Sequence, residues 1–215
     1  MKVAEQMRSK VGEFILNKQI RHFRRPVKSC NLEDAQSIGI LFNATHSVSF
    51  EIVKNFVKEL SERSKKIHVL GFVDSKQLID HYLYRKGFEF FTRNQLNWYQ
   101  KPESDAVKDF INQEFDLLIN LNLEDSYPIK YILCLSKAHF KVGRFTDVHP
   151  YHDLMIDIEQ EKEAMQDIQD ELQSDQQSGK VHHNSYESIA DLKTSVELQM
   201  NFLINQLLHY LSKLK

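Results

Sequence analysis

A chain of 215 residues, 41% hydrophobic and 27% charged, has the make-up of an ordinary globular protein with room for one well-buried core, and its 6 glycines and 4 prolines exclude a collagen-like polypeptide. The formal net charge of −2 is unevenly spread: Lys2, Arg8, Lys10, Lys18, Arg21, Arg24, Arg25 and Lys28 stand against only Glu5 and Glu13 in the first 28 residues, so a basic arm precedes a mildly acidic remainder. Cys30 and Cys134 fall in no metal or redox spacing and read as reduced thiols, and no apolar run suits a signal peptide or a membrane span, so the expectation is a cytoplasmic protein.

From Val3 to about Arg24 the pattern is helical, with Val3, Met7, Val11 and Phe14 on one face, Leu16, Ile20, Phe23 and Val27 on a neighbouring one, and Pro26 as the stop. Two readings of its charged face stand side by side. One is a solvated face on a helix docked to the domain; the other is a contact surface, built from Lys18, Arg21, Arg24, Arg25 and Lys28, for RNA, DNA phosphates or an anionic membrane.

Ile38–Asn43 reads as a short buried strand, followed by a helix with Phe50, Val53, Val57 and Leu60 inward and Thr45, Ser47 or Ser49 as its N-cap. Ile67–Val73 is the second strand, and Asp74-Ser75-Lys76 opens a shorter helix through Tyr82. A third strand covers Phe88–Phe91, and the loop after Asn94 carries Trp98 and Tyr99, expected as a lid packed over the sheet end. Glu103–Gln113 is an amphipathic helix leading into Phe115–Phe145. There a strand around Leu117–Leu121, a helix with Ile129, Ile132 and Leu133, and a strand over Ala138–Gly143 make a βαβ unit.

Tyr151–Ile158 is the last predicted strand. Residues 159–187 are rich in Glu, Asp, Gln and Ser and are expected to be a mobile acidic insertion, because so few apolar residues cannot offset the entropy of ordering. Ser188-Ile-Ala-Asp191 has the spacing of a capping box, and the closing helix over 188–215 presents Leu192, Val196, Met200, Leu203, Leu207, Tyr210 and Leu214 to the domain.

The fold expectation is a single Rossmann-like α/β domain over 29–158, a mainly parallel sheet of five or six strands with helices on both faces. Such sheets bind at the carboxyl ends of their strands. Asn43, Thr45, His46, Ser47, Asp74, Ser75, Lys76, Asn120, Asn122, Gly143 and Arg144 form a polar ring there, with turn and cap duty as the plainer reading of the same residues. No glycine-rich phosphate loop follows the first strand, which removes ordinary dinucleotide and P-loop chemistry. His149 and His152, with Asp147 and Asp153 nearby, have a spacing seen in metal sites but lack a third ligand, and no nucleophile motif appears, so neither a metal nor another cofactor is expected.

Three segments, SIGILFNAT, VLGFVDSKQL and FDLLINLNLEDSYPIKYILCLSKAHFKVGRF, followed by YHDLMIDI, resemble an uncharacterised family of small cytoplasmic proteins from Bacteroidota, a domain of unknown function. More distantly, DLLINL, the helix ending in LSKA, and KVGRF are similar to the acceptor-side, N-terminal half of heptosyltransferase-type glycosyltransferases. That second resemblance implies a shared half-fold without the transferase reaction. Two functions are therefore expected to compete: a non-enzymatic accessory protein engaging a protein or RNA partner through the basic helix, and a nucleotide-sugar or sugar-phosphate binding protein or enzyme using the sheet's carboxyl edge.

Overall fold

Short apolar runs without a polar face become interior strands of a parallel sheet, and this chain builds a six-stranded sheet around such runs. The computed structural model describes residues 2–63, 65–78, 87–147, 151–158 and 185–214. Strands β1 (Ser37–Asn43), β2 (Lys66–Val73), β3 (Phe88–Thr92), β4 (Leu117–Asn120), β5 (Phe140–Arg144) and β6 (Leu154–Ile156) form one sheet. Its order is β3-β2-β1-β4-β5-β6, and every neighbouring pair is parallel. The order reverses between β1 and β4, which pair from Ile38 opposite Leu117 to Leu41 opposite Asn120. The expected α/β architecture is the observed one.

Strand alternation divides the core in two. On one face Ile38, Ile40, Phe42, Leu117, Ile119, Phe140 and Val142 meet helix α2 (Ser47–Glu62), through Phe50, Val53 and Leu60, and the last helix, α5 (Ser185–Leu211), through Met200, Leu203, Ile204 and Leu207. On the other face Leu41, Leu70, Phe72 and Leu118 meet α3 (Asp105–Asn112) and α4 (Tyr127–Leu135). Helix α4 is apolar around most of its circumference, with seven of its nine residues buried, because a further helix, α1 (Lys2–His22), covers its outer side. Leu16 of α1 is fully buried against Tyr127, Tyr131 and Cys134.

That contact separates the two faces expected of the first helix. Leu16 and Ile20 of the second face pack on α4, whereas Met7 and Phe14 of the first are 64% and 72% exposed, and the seam runs through Gly12 and Leu16. The reason is backbone approach: a Cβ on Gly12 would lie 2.7 Å from the Tyr127 ring and 2.8 Å from the Tyr99 carbonyl oxygen, and the Tyr127 hydroxyl donates to the Gly12 carbonyl at 2.8 Å. An apolar stripe of longer side chains could not come so close.

Other expectations are corrected on similar grounds. The N-cap of α2 is His46, not a hydroxyl residue, because Thr45 Oγ1 is taken by the Asp74 amide at 2.8 Å. Trp98 is 63% exposed rather than a lid: Asn97 Oδ1 accepts from the amides of Tyr99 and Lys101, so the loop is fixed by its own backbone and needs no buried ring. Helix α5 is already running at Ser188, so the Ser188–Asp191 spacing does not cap it. Residues 74–77 form a bend; the body of the helix expected there, at 79–86, and residues 159–184 of the acidic segment lie outside the described residues. No described helix is long and apolar enough to cross a membrane.

Beneath α4, on β5, sits one charged residue in the core. Lys141 is 2% exposed; its Nζ donates to the Leu133 carbonyl at 2.7 Å and lies 5.8 Å from the Phe23 ring centroid. Burial first, and the Arg25 guanidinium second, push its ammonium down to about 7 from an ordinary 10.5. Between these values the unfolded chain holds a proton that the folded chain releases, so this group's contribution to stability rises with pH from about 7 to about 10.5, and below 7 its full cost is carried. Above 9 the buried Cys134 thiol, which keeps its proton when folded, pulls the other way. Denaturant midpoints measured from pH 7 to about 8.5 are therefore expected to climb by the equivalent of about 1–2 kcal/mol in the native chain and to stay nearly level in Lys141→Met.

Candidate functional site at the carboxyl ends of β4 and β5

In β4 the side chains of Leu117 and Ile119 point toward α2, so Leu118 and Asn120 point toward α4. The strand therefore ends by burying an amide. Asn120, 7% exposed, accepts through Oδ1 from the Asn122 amide at 3.3 Å and from Asn122 Nδ2, and its Nδ2 lies 3.0 Å from Nε2 of His152. Asn122 Nδ2 also donates to the Leu41 carbonyl at 3.2 Å, which ties the loop after β4 to the end of β1.

His152 lies just before β6 and is 8% exposed. Burial first, then Lys141 and Arg144, push its pKa down to about 4, so the ring is neutral near pH 7. Because Asn120 Oδ1 is occupied as an acceptor, its Nδ2 is the donor to His152 Nε2, and the ring proton resides on Nδ1. Gly143 makes this possible, since a Cβ there would lie within 2.9 Å of the His152 Cδ2 atom and closer still to Nε2.

A hollow of about 240 Å³ opens above this network. Its floor is Asn120, Asn122 and His152; the loop before α4 contributes Glu124, Asp125 and the N-cap Ser126; β5 contributes Arg144; and α1 reaches over with Glu13. Arg144 Nη2 pairs with Asp125 at 2.9 Å, the arginine side chain being 13% exposed and the aspartate 70%. Lys130 pairs with both oxygens of Glu13 at 2.7 Å and lies 5.4 Å from the Tyr151 ring centroid. Burial opposes its charge, but hydrogen bonds with Glu13 and Tyr151 raise the Lys130 ammonium above its ordinary value. Four residues lining the hollow keep a buried polar atom without a hydrogen-bond partner: Asn122 Oδ1, Ser126 Oγ, Arg144 Nε and His152 Nδ1. Groups in that state cost about 1–3 kcal/mol each unless a ligand or solvent meets them.

The predicted polar ring is divided by the loop after β4. Asn120, Asn122 and Arg144 line the first hollow and Gly143 shapes its floor, whereas Asn43 and His46 line a second one of about 360 Å³ on the opposite side, roofed by Ser195, Val196, Gln199 and Met200 of α5. Glu124 borders both. Thr45, Ser47, Asp74, Ser75 and Lys76 line neither. Ser47 opens α2, Thr45 ties the end of β1 to the β2 loop through the Asp74 amide, and the other three join that loop to the segment after β3: Arg93 pairs with Asp74, the Arg93 amide donates to the Ser75 carbonyl at 2.9 Å, and Asn94 Nδ2 donates to the Lys76 carbonyl at 2.7 Å.

Of the basic set, Lys18, Arg21, Arg24 and Lys28 are exposed. Arg25 is not: its Nη2 donates to both carboxylate oxygens of Asp153 at 2.6 and 2.7 Å, and its Nη1 donates to the carbonyls of Ala138 and His139. Asp153 is thereby used, so the His152–Asp153 spacing builds no metal site, and the described residues contain no group of three or more metal-ligating side chains. His149 lies outside the described residues. Asp116 sits at the far end of the sheet, where burial pushes its carboxyl up but hydrogen bonds from Ser37 and Gln36 hold it below the ordinary value.

Sequence reasoning missed Ser126, Lys130 and Glu13, and weighed His152 only for a metal site, which it rejected, without assigning it another role. The two asparagines flanking Leu121, at the end of a fully apolar strand, were the readable signal. A family model described as a family of unknown function (DUF6913) matches residues 8–173. No curated protein and no solved structure matches.

Replacing Gly143 with alanine is expected to cost about 1–3 kcal/mol in denaturant unfolding, through overpacking against His152. It should also shift the side-chain amide resonances of Asn120 and Asn122, while those of Asn97 stay in place.

Proposed function

We propose, for a chain that belongs to the family of unknown function DUF6913, that the hollow at the carboxyl ends of β4 and β5 binds a small polar metabolite. The observation that carries this reading is the gathering of Asn122, Ser126, Arg144 and His152, each with an unsatisfied buried polar atom, around one hollow. A core built only for stability satisfies such atoms internally. The parallel sheet adds a general reason, since ligands of open α/β folds sit beyond the carboxyl ends of the strands.

The size of the site narrows the class. At about 30 Å³ per water, 240 Å³ holds roughly eight waters, which suits a compound of a few carbons up to a sugar-phosphate. Binding rather than catalysis is the function proposed. The thiol nearest the site, Cys134, is buried and pushed up to about 12 by that burial, so it is a poor nucleophile.

Melting of the full chain against trioses, pentoses, sugar-phosphates and hydroxy acids is the test. A true ligand at a hundred times its Kd stabilises by about 2.7 kcal/mol, a rise of several degrees. That rise should shrink in Ser126→Ala, which removes a hydroxyl that makes no cap hydrogen bond. No rise with any compound sinks the reading.

A second reading rests on α1. Exposed Phe14 lies beside Ile15, Lys18 and His22 on a shallow groove of about 850 Å³ whose other wall includes Ile111 and Lys137, an apolar floor with a basic rim. This suits a partner protein with an acidic, apolar docking segment. Proteins that co-purify with the native chain are expected to be lost from a Phe14→Ala, Lys18→Glu double variant; selective loss of RNA instead would redirect the reading to nucleic acid.

A further inference from the structure

Hydrogen-bond roles can be assigned at each unsatisfied atom of the hollow. His152 Nδ1 carries the ring proton and is a donor, because Nε2 accepts from Asn120. Arg144 Nε is a donor by its chemistry, and its guanidinium reaches Asp125 and the Phe145 carbonyl only through Nη2 and Nη1. Ser126 Oγ can donate, and it stands at the N-cap of the nine-residue α4 without serving the helix. The first turn of a helix also leaves backbone N–H groups unpaired; here Pro128 supplies none, and those of Tyr127 and Ile129 remain. Asn122 Oδ1 is the one of the four atoms that can only accept.

We propose, building on the polar-metabolite reading, that Arg144, His152 and Ser126 at the N-terminus of α4 bind an oxyanion of the ligand, a carboxylate or a phosphate monoester. Glu124, on the rim, receives the hydroxyl end. The carboxylates nearby do not forbid an anion: Glu13 is neutralised by Lys130, and Glu124 and Asp125 are exposed to water, where their field is screened. The donors that remain are buried, and in low dielectric a charge-assisted hydrogen bond is about twice as strong as a neutral one. A neutral imidazole is suited to this role, because it donates without first taking up a proton.

Three probes of one carbon skeleton separate the possibilities: glycerol 3-phosphate, glycerate and glycerol, each added to the full chain at matched ionic strength. Binding is read by calorimetry and by ¹⁵N shifts of the His152 ring and the Arg144 Nε. At least one anion is expected to bind and move both resonances, with glycerol much weaker. Arg144→Gln should weaken the anion by roughly tenfold or more, while Lys108→Gln, an exposed change on α3, leaves it alone. Should Arg144→Gln fold poorly, Ser126→Ala and the resonances of the native chain carry the same test. Glycerol binding as tightly as the anions, or anions binding without moving His152 and Arg144, overturns the oxyanion assignment and leaves the polar-metabolite reading intact. Failure of both anions while a neutral compound raises the melting temperature does the same; failure of every compound removes both.

Discussion

Helix α4 has almost no side that meets water, and the arrangement of the molecule follows from that. Its inner face is covered by β4 and β5 and its outer face by α1, so its residues are apolar nearly all round and any polar group beneath it must find a partner in the protein. Lys141 finds the Leu133 carbonyl at the helix's C-terminal end, where a cation also suits the helix dipole. Tyr127 finds the backbone of α1 at Gly12. At the N-terminal end of α4 the supply of internal partners falls short, and there the hollow lies.

The contrast between the two ends of α4 separates scaffold from site. Lys141 is buried at a cost, yet its hydrogen bond goes to the main chain and its surroundings are packed closed. Asn120 and His152 are also buried, but they form the base of an open space whose rim carries charged groups of both signs. A lysine in a sealed core reports on stability; an asparagine–histidine pair under a hollow reports on recognition.

Much of this was legible in the sequence. The apolar runs at 38–42 and 117–121 have no room for a solvent face, which forces parallel strands under two layers of helices, and the turn-bounded spacing of the helices between them supplies the crossovers. The polar ring was legible only as a set of strand ends. Strand order decides which ends face each other, and side-chain alternation decides which face of the sheet each serves; neither is local. So Asn120 and Arg144 came together, Asn43 went to the other side, and Asp74 was consumed by Arg93, a residue nineteen positions along. Arg25 looked like one cation among many until Asp153, far along the chain, was placed beside it. In α1 the packing of Leu16 and Ile20 was legible and the place of Gly12 was not, for a different reason. Hydrophobic periodicity weights large side chains, and this seam is set by the smallest residue in the helix.

Glu13 belongs to the layer farthest from the sheet, and His152 to the approach to its last strand. The walls of the hollow are thus contributed by parts of the chain more than a hundred residues apart, which makes them contacts of high sequence separation and slow to form. An intermediate in which the six strands and α4 have assembled but α1 has not docked would be nearly native in its core and still lack one wall. Any recognition performed at this place is therefore withheld until the outermost element has closed over the rest.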